Sequence, residues 1–191
     1  MDAQIAGGEF NLEGNLALLN LYQFFPGHVD LTVVRKVLVH ALMQLPMGDF
    51  HLCLHMVPQA VQADPSVASL MALVDLLESF QLESFWKELA ASRAVVDVVP
   101  GLDAALRRYI AHGVQLSYFN VQRSLLAKNL DLQGAALDDY IAGQGWEAKG
   151  DLVQVRKRQH ESLHLDGAAE VKRGGVTLQQ LSPAIKAGLT F

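Results

Sequence analysis

The chain has 191 residues, 51% of them hydrophobic and 18% charged, a balance that suits one folded domain or two small ones and excludes an intrinsically disordered chain. Its formal net charge of -5 argues against gripping phosphates as the main task, because nucleic-acid surfaces call for the opposite sign. Cys53 is the one cysteine, which excludes an internal disulfide and fits a reducing compartment.

The start, MDAQIAGGEF, lacks the basic head and apolar run of a secretion signal. Polar residues and prolines interrupt every apolar stretch before it reaches membrane-spanning length. The chain therefore reads as cytoplasmic, with no membrane contact.

The first two thirds reads as helices in series. NLEGNLALLNLYQFF places Leu12, Leu16, Leu19 and Phe24 near helical spacing, and Pro26-Gly27 stops it. Asp30 caps a second helix with Leu31, Val34, Leu38 and Leu42 on one face, ended by Pro46 and Gly48. Asp49 is expected to cap a third, with Phe50, Cys53, Leu54, Val57 and Val61 at spacings of three and four. Pro58 should kink or split it. Asp64-Pro65 joins a capping side chain to a proline at the first helical position, opening a helix that carries Val67, Leu70, Met71, Val74 and Leu77. A fifth covers roughly Glu83 to Val95 with Phe85, Trp86 and Leu89. After Pro100-Gly101, a sixth runs from about Leu102 to Tyr118 with Leu106, Ile110 and Leu116. Helices of this length joined by short turns are expected to pack as antiparallel pairs in a short repeat stack.

The character changes near Asn120. Two short helices are expected, near Val121 to Leu130 and Gln133 to Ala142, and then a turn bracketed by Gly143 and Gly145 leads to Trp146. LVQVR, residues 152 to 156, alternates apolar and polar as a half-buried strand does. Helix, helix, glycine turn and strand is the order of a small winged helix. From about Asp166 the chain is Gly-rich and weakly patterned, and reads as a mobile tail with one short helix near Thr177 to Lys186.

Three stretches invite a chemical reading. HESLHLDGAAE, residues 160 to 170, matches a zinc-peptidase pattern, with His160, His164 and Glu170 as ligands and Glu161 as general base. The basic run just upstream, the absence of a methionine beyond Met71 and the helical character of the preceding chain all speak for coincidence. In DFHLCLHM, residues 49 to 56, His51, Cys53 and His55 would share one side of a strand. On a helix Cys53 points away from both histidines, and the helical spacing favours that geometry, with Cys53 a buried apolar residue. LQGAALDDYIAG, the candidate recognition helix, carries Asp138 and Asp139 and no Lys or Arg, which suits a protein partner and not DNA. Arg156, Lys157 and Arg158 are candidate contacts for RNA phosphates, with a solvated strand end as the plainer reading. No phosphate-binding glycine loop, nucleophile elbow or dinucleotide fingerprint occurs, so no catalytic residue, cofactor or metal is expected. Tyr22, Phe24, Phe25, Phe80, Phe85 and Trp86 are expected to form core between helices, with some left as an exposed partner patch.

NLALLNLYQFFP, HALMQLPMGDFHLCL and LVDLLESFQLESFWKEL together resemble the family of subunit k of eukaryotic translation initiation factor 3. The resemblance rests on Asn15, Leu16 and Ala17, on Leu21, Tyr22, Gln23 and Phe24 with Pro26, and on Ala41, Leu42, Leu45 and Pro46. It continues through Asp49, Phe50, Leu52 and Cys53, then Leu76, Leu77, Glu78, Phe85 and Trp86. Leu125-Leu126-Ala127 and Gly145-Trp146 extend it, so that it spans about residues 11 to 156.

The resemblance implies a mainly α chain with an N-terminal HEAT-like helical-repeat module over residues 1–119. A small winged-helix (PCI-like) module over 120–165 follows, and the tail over 166–191, read from its composition, lies beyond the resemblance. It implies a non-catalytic subunit acting in translation initiation on the small ribosomal subunit, beside the other subunits of the factor, subunit l above all. Leu21, Tyr22, Phe24, Asp49, Phe50, Cys53, Phe85, Trp86 and Trp146 are its signature core. Subunits of the proteasome lid or the signalosome share this architecture and are the alternative, since fold alone does not separate them.

Overall fold

A computed structural model describes residues 2–7 and 10–155. The helices follow one another as α1 (Asp2–Gly7), α2 (Leu12–Phe24), a 3-10 turn (Pro26–His28), α3 (Leu31–Leu42), α4 (Asp49–Met56), α5 (Gln59–Gln62), α6 (Pro65–Glu78), α7 (Leu82–Ala91), α8 (Arg93–Val96) and α9 (Leu102–Ser117). Then come β1 (Asn120–Gln122), α10 (Arg123–Leu130), α11 (Gly134–Gly143), β2 (Glu147–Lys149) and β3 (Leu152–Gln154). The described chain is therefore mainly helical with one small sheet.

Side-chain caps start three of these helices. The Asn11 side chain accepts from the Gly14 N–H at 2.9 Å, and Asp30 accepts from Thr32 and Val33. Asp64 accepts from the Ser66 N–H at 2.9 Å while Pro65 fills the first helical position, whose N–H would have had no partner. Asp49 does not cap: Gly48 holds that position and Asp49 is the first residue of α4. Its carboxylate lies in the first turn, where the helix dipole favours negative charge. Pro58 does split the third apolar stretch, because α4 ends at Met56 and Pro58 precedes α5. The fifth stretch is likewise divided, at Ser92, into α7 and α8.

Packing is not a simple run of consecutive pairs. α4 lies against both α2 and α3, α3 also meets α6, and α6 meets α7. Phe80, in the turn between α6 and α7, has a positive φ of 59°. Its ring covers Gly113 of α9 so closely that a Cβ there would fall 2.6 Å from it. Hydrophobic burial supplies the main cohesion. One cluster runs from Leu19 through Leu38, Phe50, Leu70, Phe85 and Ile110 to Leu126, Ile141 and Val153, joining helices and sheet without a gap.

The sheet has the order β1-β3-β2, with both pairings antiparallel. Val121, expected at the head of a helix, is instead the inward residue of β1, opposite Val153. β1 and β2 have three residues each, with no flanking alternation of the kind Val155 adds to β3, too little to show a period in the sequence. Several exposures also correct the expected core, Phe25 at 57% among them. Phe24 is 71% exposed and Leu21 54%. Leu116, read as an inner residue of α9, is 60% exposed. The tail helix near Thr177 lies outside the described residues.

His40 on α3 is a buried polar residue, 4% exposed, with the Phe10 ring edge-on at 5.1 Å. Burial disfavours its charged form and lowers its pKa from the ordinary 6.5. In the window below 6.5 the unfolded chain therefore binds a proton that the native chain refuses, so stability falls as pH drops through that value. Urea unfolding between pH 7.5 and 5.5 should show this fall, and His40→Leu should flatten it.

Candidate partner-binding interface

The C-terminus of α10 organises the region where helices and sheet meet. A helix leaves its last four carbonyls without partners, and here each finds one. Leu132 N–H donates to the Ala127 carbonyl and Asp131 N–H to that of Lys128. The indole N–H of Trp86, from α7, donates to the Asn129 carbonyl at 2.9 Å, and Nε of Arg107, from α9, donates to that of Leu130 at 2.9 Å. The Arg107 guanidinium also stands over the Trp86 ring, 5.4 Å from its centroid. Its positive charge at a helix C-terminus is placed where the dipole favours it. From α11, Tyr140 donates its hydroxyl to the Arg107 carbonyl at 3.1 Å and sets its ring edge-on to Trp146 at 6.2 Å. Burial pushes the Tyr140 phenol pKa up, keeping it a neutral donor. Four helices and the residue leading into β2 are thus tied at one point.

The residues expected to matter separate into three places. Phe50, Cys53, Phe85, Trp86 and Trp146 are buried, whereas Tyr22 is half-buried. Leu21, Phe24 and Phe25 are exposed at the C-terminal end of α2. There Gln23 donates its amide to the Met56 carbonyl at 2.9 Å, holding this end of α2 against the end of α4. A second exposed apolar group, Leu116 in the last turn of α9 with Tyr118 and Phe119 just beyond it, lies at the end of that helix. The Phe119 carbonyl accepts from Val155 N–H at 2.9 Å, which fixes this segment to the sheet. Leu152, also exposed, stands on the outer face of β3 opposite Gln122.

The polar candidates do not converge. α4 is a helix, so Cys53 enters the core while His51 and His55 stay outside. Burial, and then the Asp49 charge, pushes the Cys53 thiol up to about 11, so it is no thiolate ligand at neutral pH. His51 lies 3.6 Å from Glu78, and the His55 ring pairs its Nδ1 with the His51 carbonyl. On α11, Asp138 is taken by an ion pair with Arg123 at the start of α10. Among the described residues, no group of three His, Cys, Asp or Glu side chains is placed to hold a metal. A surface cleft of about 280 Å³ is lined by Arg93, Asp97 and Asp103, and there Arg93 is already held bidentately by Asp103 at 2.8 and 3.2 Å. HESLHLDGAAE and Arg156-Lys157-Arg158 lie outside the described residues.

Sequence reasoning missed Arg107 and Tyr140. Their roles lie in long-range contacts to carbonyls, which no local pattern reports. The nearest signal was Arg107 itself, a cation within a turn of the buried Leu106 and Ile110.

The profile of the CSN8/PSMD8/EIF3K family matches residues 28–164. The eukaryotic translation initiation factor 3 subunit K of Nematostella vectensis is 34% identical over 168 residues, 87% of this chain and 78% of that protein. The subunit K of Xenopus laevis is 38% identical over 147 residues (76% and 67%), and that of Homo sapiens 35% identical over 149 residues (78% and 68%).

Trp86→Phe leaves the Asn129 carbonyl without its donor, and Arg107→Met does the same to Leu130. Each should cost about 1–3 kcal/mol in urea unfolding. The double variant should lose slightly less than the two together, by under about 0.5 kcal/mol, because Trp86→Phe only weakens the cation–ring contact that Arg107→Met removes.

Proposed function

The chain belongs to the CSN8/PSMD8/EIF3K family, and from that premise we propose that it is a non-catalytic scaffold subunit of eukaryotic translation initiation factor 3. It works in the cytoplasm during translation initiation, through protein–protein contacts with the other subunits, subunit l above all, and with the small ribosomal subunit. The observation that carries the reading is the kinship with subunits K, 34–38% identical over 76–87% of this chain. The same kinship favours the initiation factor over the proteasome-lid and signalosome alternatives. No helix among the described residues is long and apolar enough to cross a membrane, which agrees with the cytoplasmic reading.

The proposal assigns residues 1–119 to a HEAT-like module, 120–165 to a winged-helix (PCI-like) module and 166–191 to a tail. The chain order β1, α10, α11, β2, β3, with β3 between the other two strands, supports the winged helix. The lack of any basic residue on α11 and the pairing of Asp138 with Arg123 argue for a protein-facing winged helix and against DNA. A scaffold needs surfaces held at fixed separation, and the Trp86–Arg107 junction supplies that rigidity. A peripheral RNA contact by Arg156, Lys157 and Arg158 is part of the same proposal.

Affinity purification of the tagged chain from its own cells, followed by a sucrose gradient, tests the reading. Comigration with small ribosomal subunits and recovery of the other initiation-factor subunits is expected. Migration alone, or with proteasome or signalosome subunits, contradicts it. Replacing Arg156, Lys157 and Arg158 by Gln should leave subunit recovery intact and weaken only salt-sensitive RNA retention.

A further inference from the structure

Helix α2 is apolar on two opposite sides. Its inner side carries Leu19 and Asn15, both buried, with Leu12, Leu16 and Tyr22 half-buried. Its outer side shows Glu13, Ala17, Leu21 and Phe24, all exposed, at steps of four, four and three residues. That is one helical face, and Phe25, 57% exposed, continues it beyond the last turn. An amphipathic helix normally turns its apolar residues to the core and its polar ones outward, yet here Leu21 and Phe24 stand on the bare outer side. Exposed apolar groups of this kind, rimmed by polar residues, mark contact sites. Gln23, bonded to the Met56 carbonyl, keeps the face from collapsing inward.

Charge says what covers it. Residues 1–86 hold nine Asp and Glu against only Arg35 and Lys36, whereas the rest of the chain has more basic than acidic residues. Glu13 opens the exposed stripe and Asp30 follows its end. A second copy of this chain would bring the stripe's one charge, Glu13, against an equally acidic segment, since residues 1–34 contain no Lys or Arg. We propose that the outer face of α2, centred on Leu21, Phe24 and Phe25, docks a basic amphipathic helix from another polypeptide. The partner's apolar residues, at i, i+3 or i+4 and i+7, lie between Leu21 and Phe24, and its flanking Lys and Arg face Glu13 and Asp30. This rests on the scaffold reading and gives one of its surfaces a chemistry.

The test places a photoreactive benzoylphenylalanine at position 24 of the full-length chain in its own cells. The chain is recovered from a gradient after irradiation, and crosslinked peptides are sequenced by mass spectrometry. The expected product joins position 24 to a Lys/Arg-rich segment of another polypeptide with apolar residues at helical spacing. Leu21→Ser in the same chain should lower its yield about tenfold, the loss expected for an interface anchor. A crosslink to a second copy, or to an acidic or irregular segment, overturns the inference. So does the absence of a product from a chain that still comigrates with its complex, and in that case the scaffold reading survives. A chain that sediments alone fails the scaffold reading first and the inference with it.

Discussion

The four terminal carbonyls of α10 are the constraint on which the arrangement turns. A short helix followed by a residue with positive φ, Asp131, leaves acceptors that must be met, because a buried carbonyl without a donor costs about as much as a lost hydrogen bond. Local N–H groups satisfy two. The other two are satisfied from elsewhere, by an indole from α7 and a guanidinium from α9. That choice turns the end of one helix into a clamp on two others. Tyr140 brings in α11 by holding the carbonyl of the same arginine, so the junction behaves as a network whose members support one another.

A protein that works by presenting surfaces needs those surfaces held apart at fixed geometry. The exposed end of α2 lies on one side of the chain's order and the Leu116–Phe119 segment with Leu152 on the other, both carried by one continuous core. The core that carries them runs from helices to sheet as one cluster. The family assignment says what such a body is for, since a subunit of a large factor contributes through its contacts. It also explains why polar groups that resemble reactive sites are spent locally. Cys53 is buried, Arg93 is held by Asp103 and Arg123 by Asp138.

Much of the helical order was legible because its signals are local. Asp30 and Asp64-Pro65 announce their helices by chemistry within three residues, and Pro58 divides a stretch by lacking an N–H. Asp49 misled because Gly48 just before it takes the cap. The strands β1 and β2 escaped because no flanking residue extends their alternation as Val155 extends that of β3, and Val121 could serve a helix face as well as a sheet. Leu21 and Phe24 were assigned to the core because a hydrophobic side chain in a helix says nothing of which side the neighbours occupy. Asn15 and Leu19, four residues apart on one face, are the buried residues of α2, and Phe24 lies on the opposite side. For the interface, the aromatic residues were found and their partners were not: Trp86 stood out by type, whereas the carbonyls it and Arg107 serve are contributed by residues 129 and 130.

The account stands on the helices and the sheet being one cooperative body joined at the Trp86–Arg107 junction. Native-state hydrogen exchange on the full-length chain measures this directly, through the opening free energies of amides in α7, α9, α10 and β3. The account predicts that these amides open together at one free energy in the wild-type chain. It also predicts that Arg107→Met lowers that free energy for α7 and β3 alike. Exchange of α10, α11 and the strands at a much lower free energy than α6, α7 and α9, unchanged by Arg107→Met, would contradict it.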